Sequence, residues 1–136
     1  MIEPYFHDSI LKRAIESNFI SYEFYNPRDF TTNKHKKVDD QMVGGGAGML
    51  LLCQPLFDCL NEIKSKDSDA YIIFPLAAAK PFRQNDAKRL AKKKNIVFVS
   101  GRYEGIDERV IEKYANEVFS IGEFVLTGGE LPSLVM

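Results

Sequence analysis

Two glycine-bearing loops, each leaving the end of a strand-like run and separated by one helical stretch, constrain this chain more than any other feature. The first is Gly101-Arg102-Tyr103-Glu104-Gly105-Ile106-Asp107-Glu108-Arg109, directly after Ile96-Val97-Phe98-Val99-Ser100. The second is Ser120-Ile121-Gly122-Glu123-Phe124-Val125-Leu126-Thr127-Gly128-Gly129-Glu130-Leu131-Pro132, after Val118-Phe119. Loops at the ends of buried strands are where α/β proteins hold a ligand, and glycine lets the backbone come close to it. The pattern predicts a small-molecule site built from main-chain groups in the last third of the chain.

The remaining segments alternate between helical and strand periods. Asp8 can cap a helix over Ser9–Asn18 that buries Ile10, Leu11, Ala14 and Ile15 on one face. Ile20, Tyr22 and Phe24 alternate with Ser21, Glu23 and Tyr25, which predicts a short half-buried strand. Asn26 to Gly48 has no period, and a loop longer than about 15 residues in a compact domain is usually functional or mobile. Pro55 suits the first turn of a helix running to Lys64. Tyr71–Phe74 reads as a strand, Pro75–Pro81 as a loop and Gln84–Lys93 as an amphipathic helix. Ile96–Ser100 follows as a buried strand, Asp107–Ala115 as a helix and Glu117–Ile121 as a last strand. Together they predict a mostly parallel sheet flanked by helices. Glu130 and Pro132 can open a helix that reaches Met136 without a C-cap signal, and Met1 stands only a few residues before the first helix. The expectation is one domain, residues 1–136, truncated at both ends.

A length of 136 residues is one domain's worth, with enough chain for a real core. No apolar run approaches the roughly 20 residues that span a bilayer. Glu3 and His7 make the N-terminus unlike a signal peptide, so a cytoplasmic location is expected. A formal net charge of −1 gives no global electrostatic case for nucleic acid. The basic runs Lys34-His35-Lys36-Lys37 and Lys88, Arg89, Lys92, Lys93 and Lys94 read as a solvated loop and a solvated helix face. If Cys53 and Cys59 share a helix, their Cα atoms stand roughly 9 Å apart, beyond the disulfide limit of about 7 Å. Reduced, structural cysteines are expected.

Gly44-Gly45-Gly46-Ala47-Gly48 resembles a phosphate loop but lacks the Lys-Ser/Thr that follows one, and it has neither a preceding strand nor the dinucleotide spacing. It reads as a hinge or as a simple turn. The two C-terminal loops still ask for a ligand. Main-chain N–H and C=O groups can meet the edge of an adenine without side chains, and Ile121, Phe124 and Leu126 could wall it. Glu104, between two glycines, is either a surface residue or a carboxylate that meets a cation or a polar base edge.

Several segments in fixed order carry a more specific signal. They are Pro27-Arg28-Asp29-Phe30, Val38-Asp39-Asp40, Gly44-Gly45-Gly46-Ala47-Gly48-Met49, the Gly101–Arg109 loop, and Ser120-Ile121-Gly122 with Gly128-Gly129-Glu130-Leu131-Pro132. This combination closely resembles the bacterial tRNA (guanine-N1)-methyltransferase family, which methylates the guanosine just 3′ of the anticodon, and the likeness runs from the first helix to the last residue. The resemblance implies a SPOUT-type α/β fold with a deep C-terminal trefoil knot. It also implies S-adenosylmethionine bound inside that knot, tRNA as substrate, and a homodimer with the site at the subunit interface.

Carried over by position, the cofactor cradle would be Phe74, Pro75, Leu76, Ala77 and Ala78, with Gly101, Tyr103 and Glu104. Its other side would be Ser120, Ile121, Gly122, Glu123, Phe124, Val125 and Leu126, with Gly128 and Gly129. Arg28, His35, Asp39, Gly44, Gly45 and Gly46 match loop positions near the RNA. Glu104 matches a glutamate beside the methyl donor and target base, where it would orient the guanine or a magnesium ion. The reaction needs a base for the N1 proton and a group to offset charge growing on O6. The family's aspartate and arginine for these tasks would both fall past Met136, so the resemblance implies a cofactor-binding part that is inactive alone. The chain departs from the family at Ala77, Ala78 and Ala79, where a Pro and a Gly are usual, and in lacking the opening strand. The rival expectations are a non-catalytic folded or dimerising module, and another SPOUT enzyme acting on RNA.

Overall fold

The computed structural model describes residues 2–41, 48–102 and 105–136. In chain order its elements are α1 (Ser9–Glu16), β1 (Asp39–Gln41), β2 (Met49–Leu51), α2 (Cys53–Lys66), β3 (Tyr71–Pro75), α3 (Gln84–Leu90), β4 (Ile96–Phe98), α4 (Glu108–Tyr114), β5 (Glu117–Phe119) and α5 (Glu130–Val135). Short 3-10 turns occupy Glu3–His7 and Pro27–Phe30.

The core is built around β3. Its run Ile72-Ile73-Phe74 has no polar side chain, so both faces need cover. Successive side chains point to opposite faces. Ile72 and Phe74 join one apolar cluster with Leu56, Cys59, Leu60 and Ile63 of α2 and Val110 and Ile111 of α4. Ile73 joins the other with Leu90 and Phe119, flanked by Phe82, Phe98 and Met136. The α2 residues fall at i, i+3, i+4 and i+7, the spacing of one helix face. The strands are parallel in the order β4-β3-β5, with Tyr71 opposite Ile96 and Ile73 opposite Glu117. The chain leaves β3 to one side to make β4, then crosses to the other side to make β5. That reversal opens a crevice at the strands' carboxyl ends.

The main α/β alternation is as the sequence predicts, with several corrections. Ile20–Tyr25 is not a strand, and among the described residues no strand pairs with it. Its alternation is satisfied by ring packing instead, with Tyr22 stacked on Phe6 at 4.6 Å and Phe24 5.3 Å from Tyr22. The first helix stops at Glu16, because Asn18 takes the left-handed φ of 58° that ends helices. It buries no residue fully, and Ile10 is 69% exposed. The aperiodic stretch from Asn26 to Gly48 contains the Pro27–Phe30 turn and β1, which pairs antiparallel with β2. Helix α3 ends at Leu90 and not Lys93, and Lys92, Lys93 and Lys94 beyond it are exposed. Strands β4 and β5 are each two residues shorter than predicted, although the Val99 amide still donates to the Ile73 carbonyl at 2.9 Å. Cys53 and Cys59 both lie on α2 as free thiols. Burial raises the Cys59 thiol to a pKa of about 11. Among the described residues, no helix is long and apolar enough to cross a membrane.

Candidate cofactor cleft

The loops that leave β3 and β5 run side by side. The Leu76 amide donates to the Phe119 carbonyl at 2.8 Å. The Ser120 amide donates to the Lys80 carbonyl and the Phe82 amide to the Ser120 carbonyl, both at 2.8 Å. Between these loops opens a cleft of about 90 Å³. Pro75, Leu76 and Ala77 line one side, and Phe119, Ser120 and Ile121 the other. Phe124, Val125, Leu126, Gly128 and Pro132 complete it. Ser120 is buried, and its hydroxyl closes the turn by donating to the Gly122 carbonyl at 2.8 Å and accepting from the Gly122 amide at 3.1 Å. The outer wall is apolar yet open, with Phe124 54% and Val125 84% exposed. Side chains of this kind left in water mark a surface made to meet something else.

The two glycine loops of the sequence converge here. Gly128 bridges Arg102 antiparallel, and the Gly129 amide donates to the Gly101 carbonyl at 2.7 Å. A Cβ on Gly129 would stand 2.8 Å from the Gly101 nitrogen and 2.9 Å from the Ser100 Cα, so only glycine allows this approach. Side chains lock the same junction. Arg102 Nε donates to Glu130 at 2.5 Å, and Ser133 joins the Ser100 hydroxyl at 2.9 Å to the Gly129 carbonyl at 2.7 Å. Just beyond, Asp107 caps α4 and takes two hydrogen bonds from the Arg109 guanidinium, at 2.9 and 2.7 Å. That guanidinium holds the Asp107 carboxyl well below the usual range.

Of the residues named from the sequence, the structure brings Pro75, Leu76, Ala77, Ser120, Ile121, Phe124, Val125, Leu126 and Gly128 to the cleft. Gly101 and Gly129 form the junction beside it. Phe74 is fully buried in the core, one residue before the cleft begins, and Ala78 and Glu123 are exposed beside it. The Ala77–Ala79 turn, closed by the Ala79 amide on the Leu76 carbonyl at 3.1 Å, takes no positive φ, so alanine fits where the family usually has glycine. Tyr103, Glu104, Gly44, Gly45 and Gly46 lie outside the described residues. Arg28, in the Pro27–Phe30 turn, His35, in the following loop, and Asp39, at the start of β1, do not line the cleft. Arg28 donates to the Lys36 carbonyl at 3.0 Å, and the His35 amide to Asn33 at 2.8 Å. Among the described residues no group of three His, Cys, Asp or Glu side chains could hold a metal ion.

Sequence reasoning missed Phe119 and Pro132 as lining residues, and it missed the polar cluster behind the cleft. There, Glu117 on β5 accepts from Tyr71 at 2.8 Å, from Lys80 at 3.0 Å and from both terminal nitrogens of Arg89 at 2.7 and 2.9 Å. Burial pushes the Glu117 carboxyl up, but the hydrogen bonds from Arg89, Lys80 and Tyr71 outweigh it and bring the pKa down to about 2. A folded-state value below the ordinary 4.5 stabilises the fold above that pH, and the gain is lost as pH falls toward 2. Lys80 and Arg89 reach solvent, which screens the pair. Glu117→Gln is therefore expected to cost about 1 kcal/mol at neutral pH. In urea titrations, that gap closes between about pH 4.5 and 2, where wild type also loses its charge.

A family model described as tRNA (Guanine-1)-methyltransferase TrmD matches residues 1–136. The chain is 65% identical over 136 residues to the tRNA (guanine-N(1)-)-methyltransferase of Sulfurimonas denitrificans, covering 59% of that protein. It is equally similar to that of a Sulfurovum species, covering 60%, and 58% identical to that of Campylobacter jejuni, covering 58%. The crystal structure of tRNA (m1G37) methyltransferase from Aquifex aeolicus superposes with a TM-score of 0.88 at 30% identity, over 98% of this chain and 60% of that one. The chain thus spans less than two thirds of the length of the proteins it matches. With the family match running over every residue and the α/β fold shared, the chain belongs to the tRNA (guanine-1)-methyltransferase family.

Proposed function

We propose that the chain forms the S-adenosylmethionine-binding part of an enzyme that methylates N1 of the guanine next to the anticodon of tRNA. What carries this reading is the meeting of the Gly101 and Gly128 turns beside the cleft between the β3 and β5 loops. The residues present fit the cofactor. Ala77 and Gly128 offer main chain with little side-chain bulk, while Ile121, Phe124 and Leu126 offer apolar walls for a purine. Bound there, S-adenosylmethionine supplies an electrophilic methyl on a positively charged sulfur. The main chain of Pro75–Ala78 and Ser120–Leu126 would hold the adenine edge, and Tyr103 and Glu104 are proposed as further cofactor-binding residues. Glu104 orients the guanine, directly or through a magnesium ion.

The described cleft residues have no titrating side chain, so this reading gives the N1 proton to a base outside the cleft. The segment with Arg28, His35 and Asp39, with Gly44, Gly45 and Gly46, contacts the RNA, which makes affinity fall steeply with salt. A trefoil knot, a homodimer with the site at its interface and a cytoplasmic location complete the proposal.

Calorimetry with S-adenosylmethionine and with its demethylated product tests it. Binding of both is expected, with no methyl transfer to tRNA by these residues alone. A well-folded protein that takes up neither compound would leave the non-catalytic module as the better reading. Methyl transfer by these residues alone would mean that the base lies within them.

A further inference from the structure

We infer that Lys80 is a positioning residue for the cleft, tethered by Glu117 so that the turn from Leu76 to Phe82 holds its wall in place. The inference rests on the cofactor reading proposed above. Leu76 and Ala77 supply one wall of the cleft, and Phe119 and Ser120 the facing one. Lys80 ties the two together three times. Its carbonyl accepts from the Ser120 amide at 2.8 Å, its ammonium lies 3.0 Å from Glu117 Oε2, and the same ammonium sits 4.6 Å over the Phe119 ring.

The anchor is independent of the tether. Glu117 is only 15% exposed and is held by Arg89 and Tyr71 whether or not Lys80 is present. Lys80 itself is 59% exposed, so its ion pair adds little to global stability. What its loss changes is local: the turn keeps its backbone bonds but loses the side-chain strut that presses it against β5. A binding wall that drifts must be reordered each time the ligand enters, which weakens binding without touching the reacting groups.

The test uses Lys80→Met, which keeps the aliphatic stem over Phe119 but removes the charge, and Lys80→Arg as the conservative variant, both in the full-length protein. Lys80→Met is expected to weaken S-adenosylmethionine binding by roughly fivefold, with kcat at saturating cofactor within about twofold. Its Tm stays within about 2 °C of wild type, and Lys80→Arg restores affinity. Hydrogen exchange without cofactor is expected to speed up at the Leu76, Ala79 and Phe82 amides while the rest of β3 and β5 stays protected. Unchanged affinity and exchange in Lys80→Met overturn the inference. So does a large Tm loss with exchange rising along the whole sheet, since that marks a general structural role. If wild type binds no S-adenosylmethionine, the cofactor reading falls, and the cofactor-free exchange still decides whether Lys80 holds the turn.

Discussion

Replacing Glu104 with Gln in the full-length protein is expected to lower methyl-transfer turnover by about a hundredfold while cofactor affinity changes by no more than about twofold. Gln keeps the size and polarity of Glu, so a binding pocket hardly registers the exchange. A charge that orients the guanine or a cation beside it is lost entirely. In the proposed reaction, N1 sheds a proton as the methyl arrives, and a misplaced base edge forfeits the in-line geometry that makes transfer fast. Single-turnover methyl transfer measured beside calorimetry separates the two quantities. Equal turnover in wild type and variant would remove Glu104 from the chemistry.

The second large effect is expected at Gly129. Gly129→Ala places a methyl group 2.8 Å from the Gly101 nitrogen and 2.9 Å from the Ser100 Cα, and both are backbone atoms that cannot rotate away. Overpacking of this kind costs about 2 kcal/mol. The cheapest relief is to part the two turns, which breaks the 2.7 Å bond from the Gly129 amide to the Gly101 carbonyl. Those turns border the proposed cofactor site, so S-adenosylmethionine affinity is expected to fall at least about tenfold, each tenfold being worth about 1.4 kcal/mol. Urea unfolding and calorimetry on the same sample check both halves. Wild-type stability with wild-type affinity would mean that the junction is loose and does not shape the cleft.

How much the sequence reveals depends on whether the information is local. Helix α2 is legible because Leu56, Cys59, Leu60 and Ile63 repeat at the helical period. Strand β3 is legible because a run with no polar break must be buried on both faces. The glycine loops are legible because a residue without a Cβ is needed where backbones touch, as at Gly129. Strand β1 is not: Asp39-Asp40-Gln41 has no apolar alternation and is a strand only because Met49-Leu50-Leu51 lies opposite. Ile20–Tyr25 misleads in the other direction, since its alternating aromatics stack on Phe6 without entering a sheet. The cluster of Tyr71, Lys80, Arg89 and Glu117 draws on two strands, a turn and a helix, and no spacing rule joins them. Ile121, Phe124 and Leu126 are legible as apolar walls, and the other cleft residues rest on segment-by-segment likeness, which transfers main-chain turns well. It did not pick out Phe119 and Pro132, which reach the cleft only through the tertiary fold.

The strand order β4-β3-β5 also has a consequence in time. Strand β4 reaches β3 across α3 alone, whereas β5 reaches it across α3, β4 and α4. Closing the longer loop is slower, because more chain entropy is spent before any contact rewards it. The crevice between the β3 and β5 loops is therefore expected to mature late, and uptake of the proposed ligand during refolding is expected to trail the appearance of helical signal.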